Sequence, residues 1–396
     1  MIAKRSCPIC NNNDIKEIYS FNYLNNEKIN GIPDIYDIVF CNNCSLVYAD
    51  INSSQMIYDK YYSHKSNYGK NYFLMNSNDT HVINYYNGIV SFLKKYVNIN
   101  DNILDLGCGN GLLSFNLLKN GYKNIYAMDY YGGFDKLKEY YKEINIINGH
   151  INNKIDEFKN KFDIIIVNQV LEHVYDIKSA IANLEFMLKK DGLLYFESPD
   201  CTRFKDYYLT PYHFFNYEHI EYFSEQAFEN MAKIFSYEVL GKESLVLMPG
   251  YDPSWRFILK KSNKINTNLL HNDDNLILDS INQYIEMSKD TINKGLLHNL
   301  IKSQEKVILW GIGSTSMHLF DKALNKLNIY MMVDASDTKQ GNIINGMKIM
   351  SPSEIKDDEA VILILPPLYN KSIYDSIKKM GLKNKVKFLT DKQINI

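Results

Sequence analysis

The sequence has no stretch of the roughly eighteen continuous apolar residues that a membrane helix needs. Its opening, Met1 to Ser6, carries two basic residues but leads into no apolar segment of the kind a secretory leader has. An excess of either charge is also missing. The 44 Lys and Arg against 46 Asp and Glu leave a formal net charge of −2, so nucleic acid and anionic membranes are not indicated as partners. Cysteine is scarce, with six in 396 residues, and a chain this long buries a large apolar core without disulfides. These absences leave a cytoplasmic, globular chain of two or three domains as the expectation.

The few cysteines are grouped. Cys7 and Cys10 form one CxxC pair and Cys41 and Cys44 another, while Cys108 and Cys201 stand alone. Two tight turns would gather four thiolates, which is the tetrahedral soft-ligand shell of structural zinc, and a reducing compartment disfavours the disulfide alternative. A shell of four thiolates leaves no position for substrate, so the metal is expected to hold the fold and take no part in chemistry.

From His81 to Tyr96 apolar residues recur at helical spacing, and Ile103 to Leu106 then reads as a short buried strand. It runs into Gly107-Cys108-Gly109-Asn110-Gly111 and an apolar helix ending near Gly121. Strand, glycine turn and helix present backbone amides at a ligand crevice. A second strand, Tyr126 to Met128, delivers Asp129, placed to accept from both hydroxyls of a ribose. Phe162 to Val167 leads to Asn168, a third cofactor-site candidate at the same edge, and then to His173. A helix from Ser179 to Lys190, closed by Gly192, and a strand from Leu193 to Phe196 follow. Asp105, inside the turn entrance, either anchors the turn or meets a cationic amine. A carboxylate there opposes a dinucleotide pyrophosphate and suits the zwitterionic tail of S-adenosylmethionine. Cys108 reads as a small buried filler.

Further along, a helix capped by Ser224 precedes two antiparallel strands, Tyr237 to Val246 and Trp255 to Leu259. The polar stretch 260–275 is a boundary. A long helix from about Leu276 to Ser303 then connects to strands at Val307 to Trp310, Ile329 to Val333 and Ala360 to Leu365, which alternate with helices as in a small parallel α/β domain. The domains expected are therefore 1–75, a zinc module with a tyrosine-rich lid segment (Tyr61, Tyr62, Tyr68); 76–265, the cofactor domain; and 266–396, a helical connector with a carboxyl-terminal α/β domain. In the last, Ser351-Pro352-Ser353-Glu354 has the makings of a capping box, and Gly311-Ile312-Gly313-Ser314 is either a nucleotide-touching turn or a packing turn.

The runs ILDLGCGNG, YAMDY and FDIIIVNQVLEHV resemble the class I S-adenosylmethionine-dependent methyltransferases across Ile103 to Val174. With the paired cysteines, EHIEYFS at Glu218 to Ser224 and VDASDTKQG at Val333 to Gly341, the whole chain resembles the sugar C-methyltransferases that act on deoxythymidine-diphosphate-linked 4-keto deoxysugars. That resemblance implies an amino-terminal zinc module, a Rossmann-like cofactor domain, and a nucleotide-linked sugar held between it and the carboxyl-terminal domain. It also implies that His173, Glu218 and His219 lie near the sugar with a tyrosine from the 61–68 segment. The chain departs from the family pattern at Asn216, where a tyrosine is usual.

Such an acceptor carbon becomes nucleophilic when a base removes a proton next to a ketone. His219 is the expected acid/base, Glu218 and Tyr222 orient it or bind sugar, and His173 stabilises the oxyanion. O-methylation of a sugar is the enzymatic alternative, since a hydroxyl needs no ketone. A cofactor-binding scaffold or sensor is the non-enzymatic one.

Overall fold

The structure, a computed structural model, describes residues 2–22, 32–65, 80–130, 142–247, 252–262, 274–356 and 359–390. The chain forms two compact units, the first from residues 1–18, 38–201 and 220–277 and the second from 19–37, 202–219 and 278–396. Among the described residues no helix is long and apolar enough to cross a membrane.

The strands in chain order are β1 (Ile15–Asn22), β2 (Ile35–Cys41), β3 (Val47–Asp50), β4 (Asn102–Leu106), β5 (Asn124–Asp129), β6 (Asn145–Asn148), β7 (Phe162–Asn168), β8 (Leu188–Pro199), β9 (Glu221–Tyr222), β10 (Tyr237–Val246) and β11 (Pro253–Lys261). A four-stranded sheet ordered β1-β2-β3-β9 carries the cysteine turns. The main sheet of the first unit is ordered β10-β11-β8-β7-β4-β5-β6. Its strands β8, β7, β4, β5 and β6 are parallel, and β11 runs antiparallel to both neighbours. The final strand is thus inserted antiparallel between the fifth and sixth of the sheet, giving the α/β Rossmann-like class I methyltransferase core.

Both faces of the sheet are covered, as near-continuous apolar strands such as Ile164 to Val167 require. One face packs under the helices Ile177–Met187 and Glu225–Ile234 in a core that also takes in Cys7, Cys41, Cys44 and Leu46. The other packs against the helices Thr80–Leu93 and Leu112–Lys119. The cysteine module therefore shares its core with the main sheet. Ser224 caps its helix as expected, accepting the Ala227 N–H at 3.1 Å.

Two helices differ from their sequence readings. The helix after β7 starts at Ile177, where the Asp176 carboxylate accepts the Ser179 N–H at 3.1 Å, and ends at Met187. Its expected last turn is instead the start of β8, with Gly192 inside the strand where a Cβ would lie 2.6 Å from Leu188 Cγ. The connector is two helices, Asp274–Lys294 and Leu296–Ser303, broken at Gly295, where a Cβ would lie 2.5 Å from the Thr291 carbonyl oxygen.

The second unit holds β12 (Lys306–Trp310), β13 (Asn328–Val333), β14 (Ile343–Ile344), β15 (Met347–Met350), β16 (Val361–Ile364) and β17 (Val386–Phe388), ordered β14-β15-β13-β12-β16-β17. All pairings are parallel except the β14–β15 hairpin. The aromatic loop before β9 packs inside this unit. Phe204 stacks on Phe214 at 4.0 Å, and the Tyr284 hydroxyl accepts the Phe214 N–H at 3.0 Å. The capping box at Ser351 is formed, with Glu354 accepting the Ser351 N–H at 3.0 Å.

Candidate active site

The order of the main sheet reverses at β4, which has β5 on one side and β7 on the other. Ligands of open α/β sheets bind outside the carboxyl ends of the strands at such a point. There Gly107 adopts φ +73°, and a Cβ on it would sit 2.4 Å from a Val170 methyl, so no other residue fits without displacing β7's loop. Gly109, at φ +53°, has no atom within 4 Å of where its Cβ would be, which leaves the turn open on the crevice side. Gly111, at φ 74°, starts the following helix.

Asp129, at the carboxyl end of β5, accepts the Gly109 N–H at 2.8 Å and so ties the turn to the next strand. Asp105 is buried, and its carboxyl group accepts from Ser114 Oγ at 2.6 Å, which fastens β4 to the helix. Burial raises the Asp105 carboxyl to about 7, and the nearby Asp129 charge adds to the rise. Cys108 is buried in the turn, and burial pushes its thiol up.

Asn168 ends β7 and accepts from the Tyr85 hydroxyl at 3.0 Å. Tyr85 also donates to Glu197 at 2.5 Å, and Glu197, fully buried, takes Arg256 Nε at 3.1 Å, Gln169 Nε2 at 3.2 Å and the Tyr195 hydroxyl. This group fixes the β7 and β8 ends together. Sequence reading missed Tyr85 and Arg256, since each lies in an ordinary helix or strand far from its partners.

The helix Gln55–Lys65 spans the same edge with one face. Gln55, Asp59 and Tyr62, spaced four and three apart, each reach a different loop. Gln55 Oε1 accepts the Asp176 N–H at 2.9 Å, Asp59 takes His150 Nε2 at 3.0 Å, and the Tyr62 hydroxyl lies 2.8 Å from His173 Nδ1. Burial lowers the His150 pKa, so its neutral ring donates from Nε2 while Nδ1 accepts the Asn152 N–H at 3.2 Å. Of the expected lid tyrosines, Tyr61 is buried, Tyr62 holds His173, and Tyr68 lies outside the described residues.

His173 follows β7 on a short turn, its Nε2 3.9 Å from Glu172 Oε1. Glu172 is buried, accepts from Ser198 Oγ at 2.6 Å, and is raised to about 8 by burial. Glu218 and His219 belong to the second unit. Their N–H groups both donate to Asn216 Oδ1, at 2.9 and 2.8 Å, so the residue that departs from the family pattern forms the turn that presents them. Tyr222 lies in β9 of the first unit, 2 % exposed, paired with Val47.

In the cysteine module the two CxxC turns are built alike. The Asn11 and Ser45 N–H groups donate to the Cys7 and Cys41 carbonyls at 2.9 and 3.0 Å, and both residues are left-handed at φ 64° and 63°. The Cys7 and Cys41 N–H groups each reach five residues on, to Asn12 and Leu46, at 2.9 Å. Cys7 and Cys44 Sγ lie 3.5 Å apart, Cys10 and Cys41 Sγ 3.4 Å, and all four sulfurs fall within 4.8 Å. A tetrahedral zinc with bonds of about 2.3 Å sets its sulfurs about 3.8 Å apart. The donor set and spacing fit that ion.

Residues 79–241 match the family model described as a methyltransferase domain, and residues 303–387 match one described as C2185-like, N-terminal. Over 112 residues the chain is 34% identical to the ubiquinone biosynthesis O-methyltransferase of Rickettsia bellii, covering 27% of this chain and 46% of that protein. The corresponding protein of Actinobacillus pleuropneumoniae is 32% identical over 109 residues, 25% of this chain and 46% of its own. The chain thus spans just under half the length of these curated relatives. A solved 1,6-didemethyltoxoflavin-N1-methyltransferase of Burkholderia thailandensis superposes with a TM-score of 0.42 at 12% identity, covering 56% of this chain and 97% of that one.

Proposed function

We propose that this chain transfers a methyl group from S-adenosylmethionine to a hydroxyl oxygen of a nucleotide-linked sugar. The observation that carries methyl transfer is the glycine turn bound to Asp129 inside a matched methyltransferase domain. Transfer to oxygen is favoured because the curated relatives aligned to this chain are O-methyltransferases. The order of the motifs along the chain supports the sugar.

S-adenosylmethionine, when bound, supplies an electrophilic methyl on a sulfonium. Asp129 and Asn168 would hold its nucleoside and tail, the turn from Gly107 to Gly111 would let it approach the backbone, and the carboxyl groups of Asp105 and Asp129 would favour a cationic ligand over an anionic one. His173 takes the proton of the acceptor hydroxyl. Tyr62 holds Nδ1: in the tautomer whose Nδ1–H donates to the phenol oxygen, Nε2 is left as the acceptor. Tyr222 belongs to the same unit as His173, and His219, with Glu218 to orient it, is the base of the alternative reading in which the acceptor is a carbon next to a ketone. The thiolates of Cys7, Cys10, Cys41 and Cys44 would hold a structural zinc. Mass spectrometry and carbon–proton correlation on the product of a nucleotide-sugar panel test the reading, and a new C–C bond would replace it with C-methylation.

A further inference from the structure

Within the first unit, the helix Thr80–Leu93 and the edge strand β10 with its neighbour β11 line a groove of about 590 Å³. That volume is in the range of small-molecule sites. On the helix the lining residues His81, Tyr85, Gly88 and Phe92 recur at spacings of four and three, which is one face, and Lys95 follows beyond the helix end. On β10 and just past it they are Glu243, Leu245 and Leu247, spaced two apart. Arg256 of β11 stands directly opposite Glu243 in register.

Arg256 is 3 % exposed, yet its donors are only partly used. Its Nε donates to Glu197 at 3.1 Å, and Glu197 also receives Tyr85, Gln169 and Tyr195, so that buried carboxylate is satisfied without the two Nη groups. Nη1 is 3.4 Å from Glu243 Oε2, long for a hydrogen bond between charged groups, and among the described residues Nη2 has no acceptor. The Glu243 side chain is 52 % exposed and can turn out to water. A planar guanidinium held this way offers its Nη fork to a carboxylate.

Gly88 is the second observation. It lies in the interior of a helix, where glycine is destabilising relative to alanine. The backbone does not require it, since a Cβ there would lie 3.8 Å from Arg256 Nη1, an ordinary contact. What glycine does at this position is leave the guanidinium uncovered. The ionic groups of the lining are Arg256 and Lys95 against Glu243, a surplus of one positive charge. Tyr85, Phe92, Leu245 and Leu247 supply apolar wall around them.

We infer that this groove binds a small monocarboxylate with an apolar body, its carboxylate on the Nη groups of Arg256 in place of Glu243 and its body along Leu245 and Leu247. The inference goes beyond the methyl-transfer reading and does not depend on it.

Calorimetry on the full chain tests it, with phenylacetate, 3-phenylpropionate and octanoate, their primary amides, and inorganic phosphate. The titrations are run with and without saturating S-adenosylhomocysteine, whose own carboxylate closes the cofactor site to the probes. At least one carboxylate should bind in both conditions, and its amide at least about 10-fold more weakly, for the loss of a charge-assisted hydrogen bond. Gly88→Leu, which raises helix propensity and covers the guanidinium, should abolish carboxylate binding, while Gly88→Ala should leave it in place; both should bind S-adenosylhomocysteine as the wild type does. Glu243→Gln, which removes the competing carboxylate, should tighten binding about two- to fivefold, the range of a half-exposed ion pair. No carboxylate binding by the folded chain overturns the inference, as does binding that vanishes with S-adenosylhomocysteine or that Gly88→Leu leaves unchanged. Phosphate or an amide binding as tightly as the best carboxylate overturns it too. Carboxylate binding by protein that does not bind S-adenosylhomocysteine overturns the methyl-transfer reading alone.

Discussion

The Tyr62 hydroxyl lies 2.8 Å from Nδ1 of His173, with the two rings edge to face at 77°. A helix that leaves the cysteine module thus holds the imidazole that follows β7. Tyr62→Phe should lower kcat by about 10-fold and His173→Asn by roughly 10² to 10⁴, the range of a lost general base. S-adenosylhomocysteine affinity should stay within about twofold for both. A pH–rate profile for Tyr62→Phe that overlays the wild type would remove the phenol from the positioning role.

Asp129→Ala should weaken cofactor binding by at least 10-fold, since a hydrogen bond to a charged group contributes about 1.5 to 3 kcal/mol and this carboxylate also orders the Gly109 turn. Calorimetry with S-adenosylhomocysteine on protein shown folded by circular dichroism measures it. Unchanged affinity contradicts the site.

Asp105 carries a proton up to about pH 7 because it is buried. A cationic tail beside it favours the carboxylate, so its pKa falls on binding, a proton is released, and affinity rises as pH is raised through 7. Calorimetry in two buffers of different ionisation enthalpy at pH 7 should show the release. Asp105→Asn should abolish it.

Much of this was readable in the sequence, because it is local. The strand, the glycines and the aspartate at the end of the next strand lie within 27 residues, Ile103 to Asp129, and each announces itself by period or turn chemistry. So do the cysteine pairs, Ser224 and the Ser351 box. What was not readable is long-range. Tyr85 meets Glu197 across 112 residues, and Tyr62 meets His173 across 111, from helices whose own pattern says nothing of either partner. Gly295 was passed over because a single glycine in a helical pattern is usually tolerated. Asn216, noticed only as a departure, proves to be the turn residue under Glu218 and His219.

Burial raises Glu172 to about 8, well above its value in the unfolded chain. A raised carboxyl favours folding fully below the unfolded value, near 4.5, and that contribution is lost as pH climbs toward the folded value. Glu172→Gln should therefore be more stable than wild type above pH 8 and should gain less at pH 5, where the folded Glu172 is neutral like the glutamine. Thermal melts at the two pH values read the difference. A variant that loses equally at both is reporting the Ser198 hydrogen bond alone.

Metal analysis should find one zinc per chain, and chelation or replacement of any one of Cys7, Cys10, Cys41 and Cys44 by serine should lower the melting temperature. These cysteines share a core with the main sheet, so the loss should spread to cofactor binding. An intact melting curve in a zinc-free preparation contradicts a structural metal.

The central claim is methyl transfer to a sugar oxygen, and the most direct test follows a ¹³C-labelled methyl group. The full chain is incubated with labelled S-adenosylmethionine and a panel of nucleotide-linked sugars, and the product is read by carbon–proton correlation. The account predicts a labelled methyl correlated through oxygen to one sugar position, and its disappearance in His173→Asn. A label bonded to carbon contradicts the oxygen acceptor, and a full panel returned unlabelled by protein that binds the cofactor contradicts the sugar.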